Sequence, residues 1–413
     1  MQSPGENFCS IFVLQTFKML QEIMSFAIIF GTMTLLLLLP DAYILFCVIG
    51  RAPWWGKLLF MLPTLVFIAA VSAVLLSGPP VQSMLNWIFR LLLCIVFPLL
   101  IFTLLSLSGR AAGLFFPSAV RFFDLAALGI AALWLCCALY GLSAGWKKVS
   151  VEPAELRFDR LPESFDGYRI VHLSDFHIGT YASSPETVSR IVREVNSLHP
   201  DLVVFTGDLV NVSPEEAESF IGTLAGIDAH DGVLSVLGNH DYCLYRSYTP
   251  PDSPEKALAR VVAAEEAAGW RLLRNEHELV VHGGDSIAVI GVDNAGSGAF
   301  PNKSNLSRAI DGLQADTFKI LLSHDPSHWR REVLPESDID LTLSGHTHAM
   351  QFRIGRLSPS KWLYPEWGGL YEDGMRKLYV STGIGENIPF RLGAWPQIVL
   401  ITLRSSAADD TDR

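Results

Sequence analysis

The chain has 413 residues, half of them hydrophobic, and a formal net charge of −11. The charge is unevenly spread: Met1 to Trp146 holds four acids and six bases, which leaves thirty-eight acids and twenty-five bases to the remainder. So acidic a second part excludes nucleic acid as the leading partner, and a single cysteine there, Cys243, excludes a disulfide framework within it.

A helix crosses the hydrocarbon core with about 20 mostly apolar residues. Residues 23–49, 54–76, 85–107 and 122–142 each meet that length, and the intervening "GRAPWWGK", "SGPPVQS" and "LSGRAAG" carry turn and charge signals. About four helices are therefore expected in a transmembrane region 23–146, after an N-terminal extension 1–22. The chain reads as an integral, multi-pass membrane protein, placed at the cell membrane with the lipid bilayer as a partner. Within the first segment Pro40 precedes Asp41, a pair able to kink or end a helix, and Asp41 is expected near the interface. Trp54 and Trp55 beside Lys57 resemble an aromatic belt. Short loops with Arg51, Lys57, Arg110 and Arg121 favour an extracytoplasmic second half, whereas Lys147 and Lys148 argue the reverse.

After a linker at 147–164 the pattern changes to short apolar runs alternating with amphipathic stretches, which predicts a layered α/β domain over 165–405. "YRIVHLS", "LVVFTG", "VLSVLG", "SIAVIGV", "KILLSH" and "LTLSG" read as strands. "SPETVSRIVREVNSL", "PEEAESFIGTLAG" and "SPEKALARVVAAEEAAG" read as helices, the last capped by Ser253 and ended by Gly269. The tail 406–413 is polar and expected to be disordered.

Polar residues with metal-ligating chemistry stand at the ends of these strands. "VHLSDFHIG" supplies Asp175 and His177; "VVFTGDLVN" supplies Asp208; "SVLGNHDY" supplies Asn239, His240 and Asp241. "ILLSHDP" supplies His324, and "TLSGHTH" supplies His346 and His348. Ligands gather at the carboxyl ends of strands in α/β sheets, so these strand ends are expected to converge on one site. Carboxylate, imidazole and amide oxygen without thiolate favour a divalent ion such as Mn, Fe or Zn. Seven candidate ligands exceed one tetrahedral ion, and a central carboxylate suits a pair of ions about 3.5–4 Å apart. His172, His199, His230, His277, His282 and His328 stand in no such context and are read as core or surface residues.

The ordered set Asp-x-His, Gly-Asp, Gly-Asn-His-Asp, a lone His and Gly-His-Thr-His resembles the calcineurin-like metallophosphoesterase superfamily over about residues 165–405. A membrane segment followed by "SGHTH" resembles its membrane-associated YkuE-like branch, which includes transmembrane proteins with a metallophosphoesterase domain. The resemblance implies a two-sheet sandwich flanked by helices. It implies one metal on Asp175, His177 and His348, the other on Asn239, His324 and His346, and Asp208 between them. It also implies that His240 approaches the substrate phosphoryl oxygen or leaving group, with Asp241 orienting it. One departure is that "GHTHAMQ" lacks the Gly-Gly frequent after the last His in soluble relatives.

The implied activity is hydrolysis of a phosphate ester by in-line attack of a metal-bridging hydroxide. A membrane anchor beside such a domain points to a lipid-linked phosphate, and the family includes hydrolases of a UDP-linked diacylglucosamine, so pyrophosphate hydrolysis of a UDP-linked acyl sugar is one alternative. A metal-binding sensor or regulatory domain without turnover is another. The aromatic "SPSKWLYPEWGGLYEDG" at 358–374 is a lid, a bilayer contact or packing under a long loop, and Arg391 in "STGIGENIPFRLG" is a candidate phosphate partner.

Overall fold

In the computed structural model the described residues are 31–32, 34–76, 82–298 and 300–406. The chain divides into two compact units, Met1–Leu139 and Tyr140–Arg413.

The first unit is helical. Among the described residues three helices are long and apolar enough to cross a membrane, Trp54–Ala73, Asn86–Gly113 and Ser118–Lys147, the last running on past the unit's end. The first expected span reaches into residues outside those described. Its described part, Thr34–Val48, is shorter than a full crossing and ends in a π-helical turn, Ile44–Val48, a few residues after Pro40. Leu37, Phe67, Val71 and Val96 pack at the centre of this unit. Asp41 is 1% exposed, so it is enclosed by protein here, and neither carboxylate oxygen has a hydrogen-bond partner among the described residues.

Among its described residues the second unit is built on twelve strands. These are β1 (Ser150–Phe158), β2 (Arg169–Leu173), β3 (Leu202–Phe205), β4 (Val233–Ser235), β5 (Arg271–Leu272) and β6 (Glu276–His282). They continue with β7 (Asp285–Gly291), β8 (Phe318–Leu322), β9 (Leu341–Ser344), β10 (Gly369–Asp373), β11 (Arg376–Val380) and β12 (Gln397–Ser405). One six-stranded sheet has the order β1-β12-β2-β3-β4-β5 and the other β10-β11-β9-β8-β7-β6. In the first, β2, β3, β4 and β5 run parallel. In the second, β7, β8, β9 and β11 run parallel.

Parallel strands covered on both faces are apolar along their whole length, and β2, β3, β8 and β9 are buried almost throughout. Ile170, Val204 and Ile401 of the first sheet and Val289, Ile320 and Leu343 of the second form one core between the sheets. The opposite face of the first sheet, with Val171, Val203 and Phe205, is covered by Val188, Ile191 and Val261 from the helices Pro185–Ser197 and Pro254–Ala267. The opposite face of the second, with Ile290, Leu321 and Leu378, is covered by Trp329 and Val333. The result is a two-sheet sandwich flanked by helices, as the family resemblance implied. Ser253 caps its helix by accepting from the Lys256 N–H, and Gly269 beyond the end takes φ +80°. The stretch read as one helix near residue 220 is two short ones, Glu215–Glu218 and Ile221–Leu224.

Candidate metal centre

The parallel strands of both sheets deliver their carboxyl ends to one place. Each then turns sharply: Asp175, His177, Asp208, His346 and His348 all have positive φ, between 41° and 73°. Left-handed backbone costs a non-glycine residue roughly 1–2 kcal/mol, so five such residues in one site mark a geometry held by the surrounding fold. Two glycines make room for it. A methyl group on Gly345 would lie 1.9 Å from Ser174 Oγ and 2.2 Å from Asp175 Oδ2, and one on Gly238 would lie 2.2 Å from Asp208 Oδ1.

Asp175, His177 and His348 form one buried cluster, with His348 Nε2 3.3 Å from Asp175 Oδ1 and 3.2 Å from His177 Nε2. Asp208, His324 and His346 form a second, with His346 Nδ1 3.2 Å from His324 Nε2. Asp208 joins them: its Oδ2 is 3.5 Å from His177 Nε2 and 3.1 Å from His324 Nε2. Asn239 is buried, donates from Nδ2 to the Tyr245 hydroxyl at 2.9 Å, and leaves Oδ1 without a partner. Asp175 accepts from the His346 N–H with both oxygens at 3.0 Å, tying the end of β2 to the end of β9.

The donor set fits a pair of cations. Burial pushes His177 and His348 well below the ordinary imidazole value, which keeps them neutral with a free lone pair. Burial, then the facing His324, lowers His346 to about 4. Burial opposes charge on Asp208 as well, yet His324 and His240 hold its carboxyl well below the usual range. Burial is likewise overcome at His324, which Asp208 and Asp175 raise to about 10. A proton on His324 thus stands where cationic charge is favoured, and the donor atoms of each cluster lie within 4.8 Å of one another, close enough to hold one ion per cluster. His324 Nδ1 donates to the Thr206 carbonyl at 2.7 Å, which directs Nε2 into the site, as an outer partner does for a ligating imidazole.

His240 forms a further group of possible donors with His177 and Asp208, its ring 4.8 Å from that of His177. Its Nδ1 meets the Asn211 carbonyl at 2.5 Å, and Nε2 faces Asn387 Nδ2 at 3.3 Å. The expected Asp241 contact to this ring is absent. The Asp241 carboxylate turns back into the fold and accepts the N–H groups of Gly238, Asp208 and Leu209 at 2.8 Å and of Val210 at 3.2 Å. It therefore shapes the backbone that carries Asp208, and the Asn211 carbonyl orients His240. Burial, then the Asp208 charge, raises the Asp241 carboxyl to about 7.

Arg391 is also placed differently from the sequence reading. It is fully buried, donates to the carbonyls of Thr382, Ala394 and Gly385, and comes within 3.4 Å of His348 Nδ1. It is thus enclosed behind His348, away from any phosphate in solvent. Three aromatic residues at the site were not singled out by strand-end reasoning. The Tyr364 hydroxyl is 2.9 Å from His346 Nε2, Tyr245 stacks on His240 at 4.4 Å, and Phe300 packs edge-on to His346 at 4.9 Å. Tyr364 falls in the aromatic 358–374 stretch, the one signal that pointed to it. His172 and His328 are buried outside the clusters with partners of their own, Thr206 and Ser323.

A pair of imidazole and carboxylate clusters at the strand ends of a two-sheet sandwich defines a metal-dependent hydrolase. The model of the calcineurin-like phosphoesterase family matches residues 168–350. The metallophosphoesterase YkuE of Bacillus subtilis is 30% identical over 281 residues, covering 65% of this chain and 90% of its own length. A transmembrane protein with metallophosphoesterase domain from Danio rerio is 31% identical over 65% of this chain, and the match spans 60% of that protein. A metallophosphoesterase of Helicobacter pylori is 31% identical over 64% of this chain and 66% of its own length. The chain belongs to the calcineurin-like metallophosphoesterase family, whose members work with a pair of divalent metal ions.

Proposed function

We propose that the chain is a membrane-anchored dinuclear phosphoesterase, with a membrane region at 23–146 and a catalytic domain at 165–405. In this reading Asp175, His177 and His348 would hold one ion, Asn239, His324 and His346 would hold the other, and Asp208 would be shared between them. The observation that carries it is the single Asp208 oxygen set 3.5 Å from one cluster's imidazole and 3.1 Å from the other's. The ions supply Lewis-acid stabilisation of phosphoryl charge and a nucleophile drawn from water.

The protein's own part is positional. Because a carbonyl only accepts, His240 Nδ1 must donate to Asn211, which leaves Nε2 as the free nitrogen of the ring. Asn387 keeps its amide nitrogen towards that Nε2, since its Oδ1 accepts from Asn211 at 3.1 Å. The Asn387 amide nitrogen only donates, so in this arrangement His240 Nε2 accepts its hydrogen bond, and Nε2 is the nitrogen through which the ring would exchange a proton with the substrate. Asp241 acts one step back, by fixing the Asp208 loop. A lipid-linked phosphate is the substrate class that membrane anchoring favours. Arg51, Lys57, Arg110 and Arg121 in short loops support an extracytoplasmic catalytic unit.

The full chain, purified in detergent and loaded with Mn²⁺, is expected to hydrolyse a generic aryl phosphodiester or monoester, and Asp208→Ala to abolish this. Absence of turnover from a chain that holds both ions would contradict hydrolysis of simple esters and favour a binding role.

A further inference from the structure

Next to the metal centre the chain leaves an apolar surface uncovered. After His348, the stretch 350–357 runs outward and returns through a tight turn in which Ile354 bridges Leu357. Residues 358–363 then lead back to Tyr364, whose hydroxyl touches His346. Ile354 is 66% exposed, Leu357 69%, Trp362 86% and Leu363 69%, with Met350 nearly half exposed beside them. Phe352, Ile354, Leu357, Pro359 and Trp362 line a groove of about 560 Å³. Elsewhere in the second unit large exposed apolar residues stand in ones and twos, such as Leu279 and Val281 on β6 or Leu370 on β10. Single exposed residues need no explanation, whereas a contiguous group does.

The charge of this stretch singles out its partner. Residues 349–365 contain Arg353, Arg356 and Lys361 and no acid, in a part of the chain with thirteen more acids than bases. Among the described residues Arg356 and Lys361 form no ion pair, whereas Glu366 just beyond them is taken by Arg330 at 2.5 Å. Tryptophan and aliphatic side chains interleaved with cations are the composition of a segment that lies in a bilayer interface, with the rings at headgroup depth and the cations on lipid phosphates. In a two-fold pair of this chain the patches would meet apolar to apolar, but Arg353, Arg356 and Lys361 of both copies would then be brought together without an acid among residues 349–365 to offset them. A bilayer is at hand, because three helices of the same chain are fit to cross one.

We propose that residues 350–363 sit in the interfacial layer of an anionic lipid bilayer with a lipid acyl chain in the groove, so that lipid-borne phosphate esters reach the metal centre over this rim. This deepens the phosphoesterase reading by naming its substrate surface, and it is tested without turnover. Leu363→Cys, and Asp285→Cys in the exposed β6–β7 turn as control, are made in the full chain with its six native cysteines replaced by alanine. Each is labelled with an environment-sensitive fluorophore and reconstituted in vesicles of phosphatidylcholine and phosphatidylglycerol brominated on the acyl chains.

Quenching at position 363 is expected to exceed that at 285 severalfold, and Arg356→Gln with Lys361→Gln to reduce it at least about twofold. Equal quenching at the two positions overturns the proposal, and quenching unchanged by the double substitution overturns its anionic part. Should the cysteine-free chain fail to fold, Trp362→Phe in the native chain gives the same answer. Bromolipid-quenchable tryptophan emission must fall by the share of one residue, and an unchanged share overturns the proposal. Because no readout uses ester hydrolysis, a chain that inserts without turnover contradicts the phosphoesterase reading alone, and one that turns over without inserting contradicts the lipid surface alone.

Discussion

The two sheets contribute different chemistry to the same site. From β2, β3 and β4 come both carboxylates, Asp175 and Asp208, together with the Asn239 amide and His177. From β8 and β9 come only imidazoles, His324, His346 and His348. Among the seven donors the carboxylates come from one sheet and imidazoles alone from the other, with the Asp325 carboxylate buried beside His324 on that second side. Direct ties cross the gap at several points: the His346 N–H and His348 Nε2 to Asp175, His348 Nε2 to His177, His324 Nε2 to Asp208 and His324 Nδ1 to the Thr206 carbonyl. Cations between the ends would fasten the sheets together, and Asp208 is the group on which both clusters depend.

Removing charge from the first sheet has the largest expected effect. Asp208→Ala should release both ions and lower turnover by on the order of 10⁴-fold, the several kcal/mol that metal stabilisation supplies. Removing one imidazole from the second sheet should do less. His346→Ala is expected to release one ion and to cost about 10²–10³-fold in kcat, measured beside metal content. Loss of both ions would show that the sheets are not as distinct as their donors imply. His240→Ala, at the edge of both clusters, should slow the reaction about 10²-fold, within the range of a lost general acid, and leave both ions in place. Metal loss equal to that of Asp208→Ala would contradict its catalytic role.

The smallest effect concerns backbone strain on the second sheet's side. Ala349, Met350 and Gln351 follow His348 with φ of 49°, 45° and 63°, a conformation that favours glycine. Met350→Gly should raise the unfolding free energy by about 1 kcal/mol, the cost of left-handed backbone for a side-chain-bearing residue, as read by denaturant melts. A fall in stability would mean that the Met350 side chain contributes more than the strain removes.

How much of this was legible in the sequence follows the same divide between strand ends and what surrounds them. The buried strands β2, β3, β8 and β9 could be read because their runs are almost wholly apolar and each leads into a candidate ligand, and β7 from its apolar run alone. β1, β10 and β11 could not, since alternating or exposed residues such as Glu152, Leu370 and Glu372 give no continuous run, and β5 is only two residues long. The seven donors were visible one by one at strand ends, and it took the fold to bring them together. Roles set by long-range contacts were invisible. Nothing local in "GNHD" says that Asp241 turns away from its neighbour to accept four backbone N–H groups, or that Arg391 is enclosed behind His348. Tyr245 and Phe300 reach the site from loops without periodicity, so no pattern announced them.

The most direct test of the central claim is a count of metal ions on the purified full chain after saturation with Mn²⁺ and removal of the free ion. Two ions per wild-type chain, none on Asp208→Ala and one on His346→Ala are the predicted results. A single ion on the wild-type chain, or two retained on Asp208→Ala, would contradict a dinuclear centre bridged by Asp208.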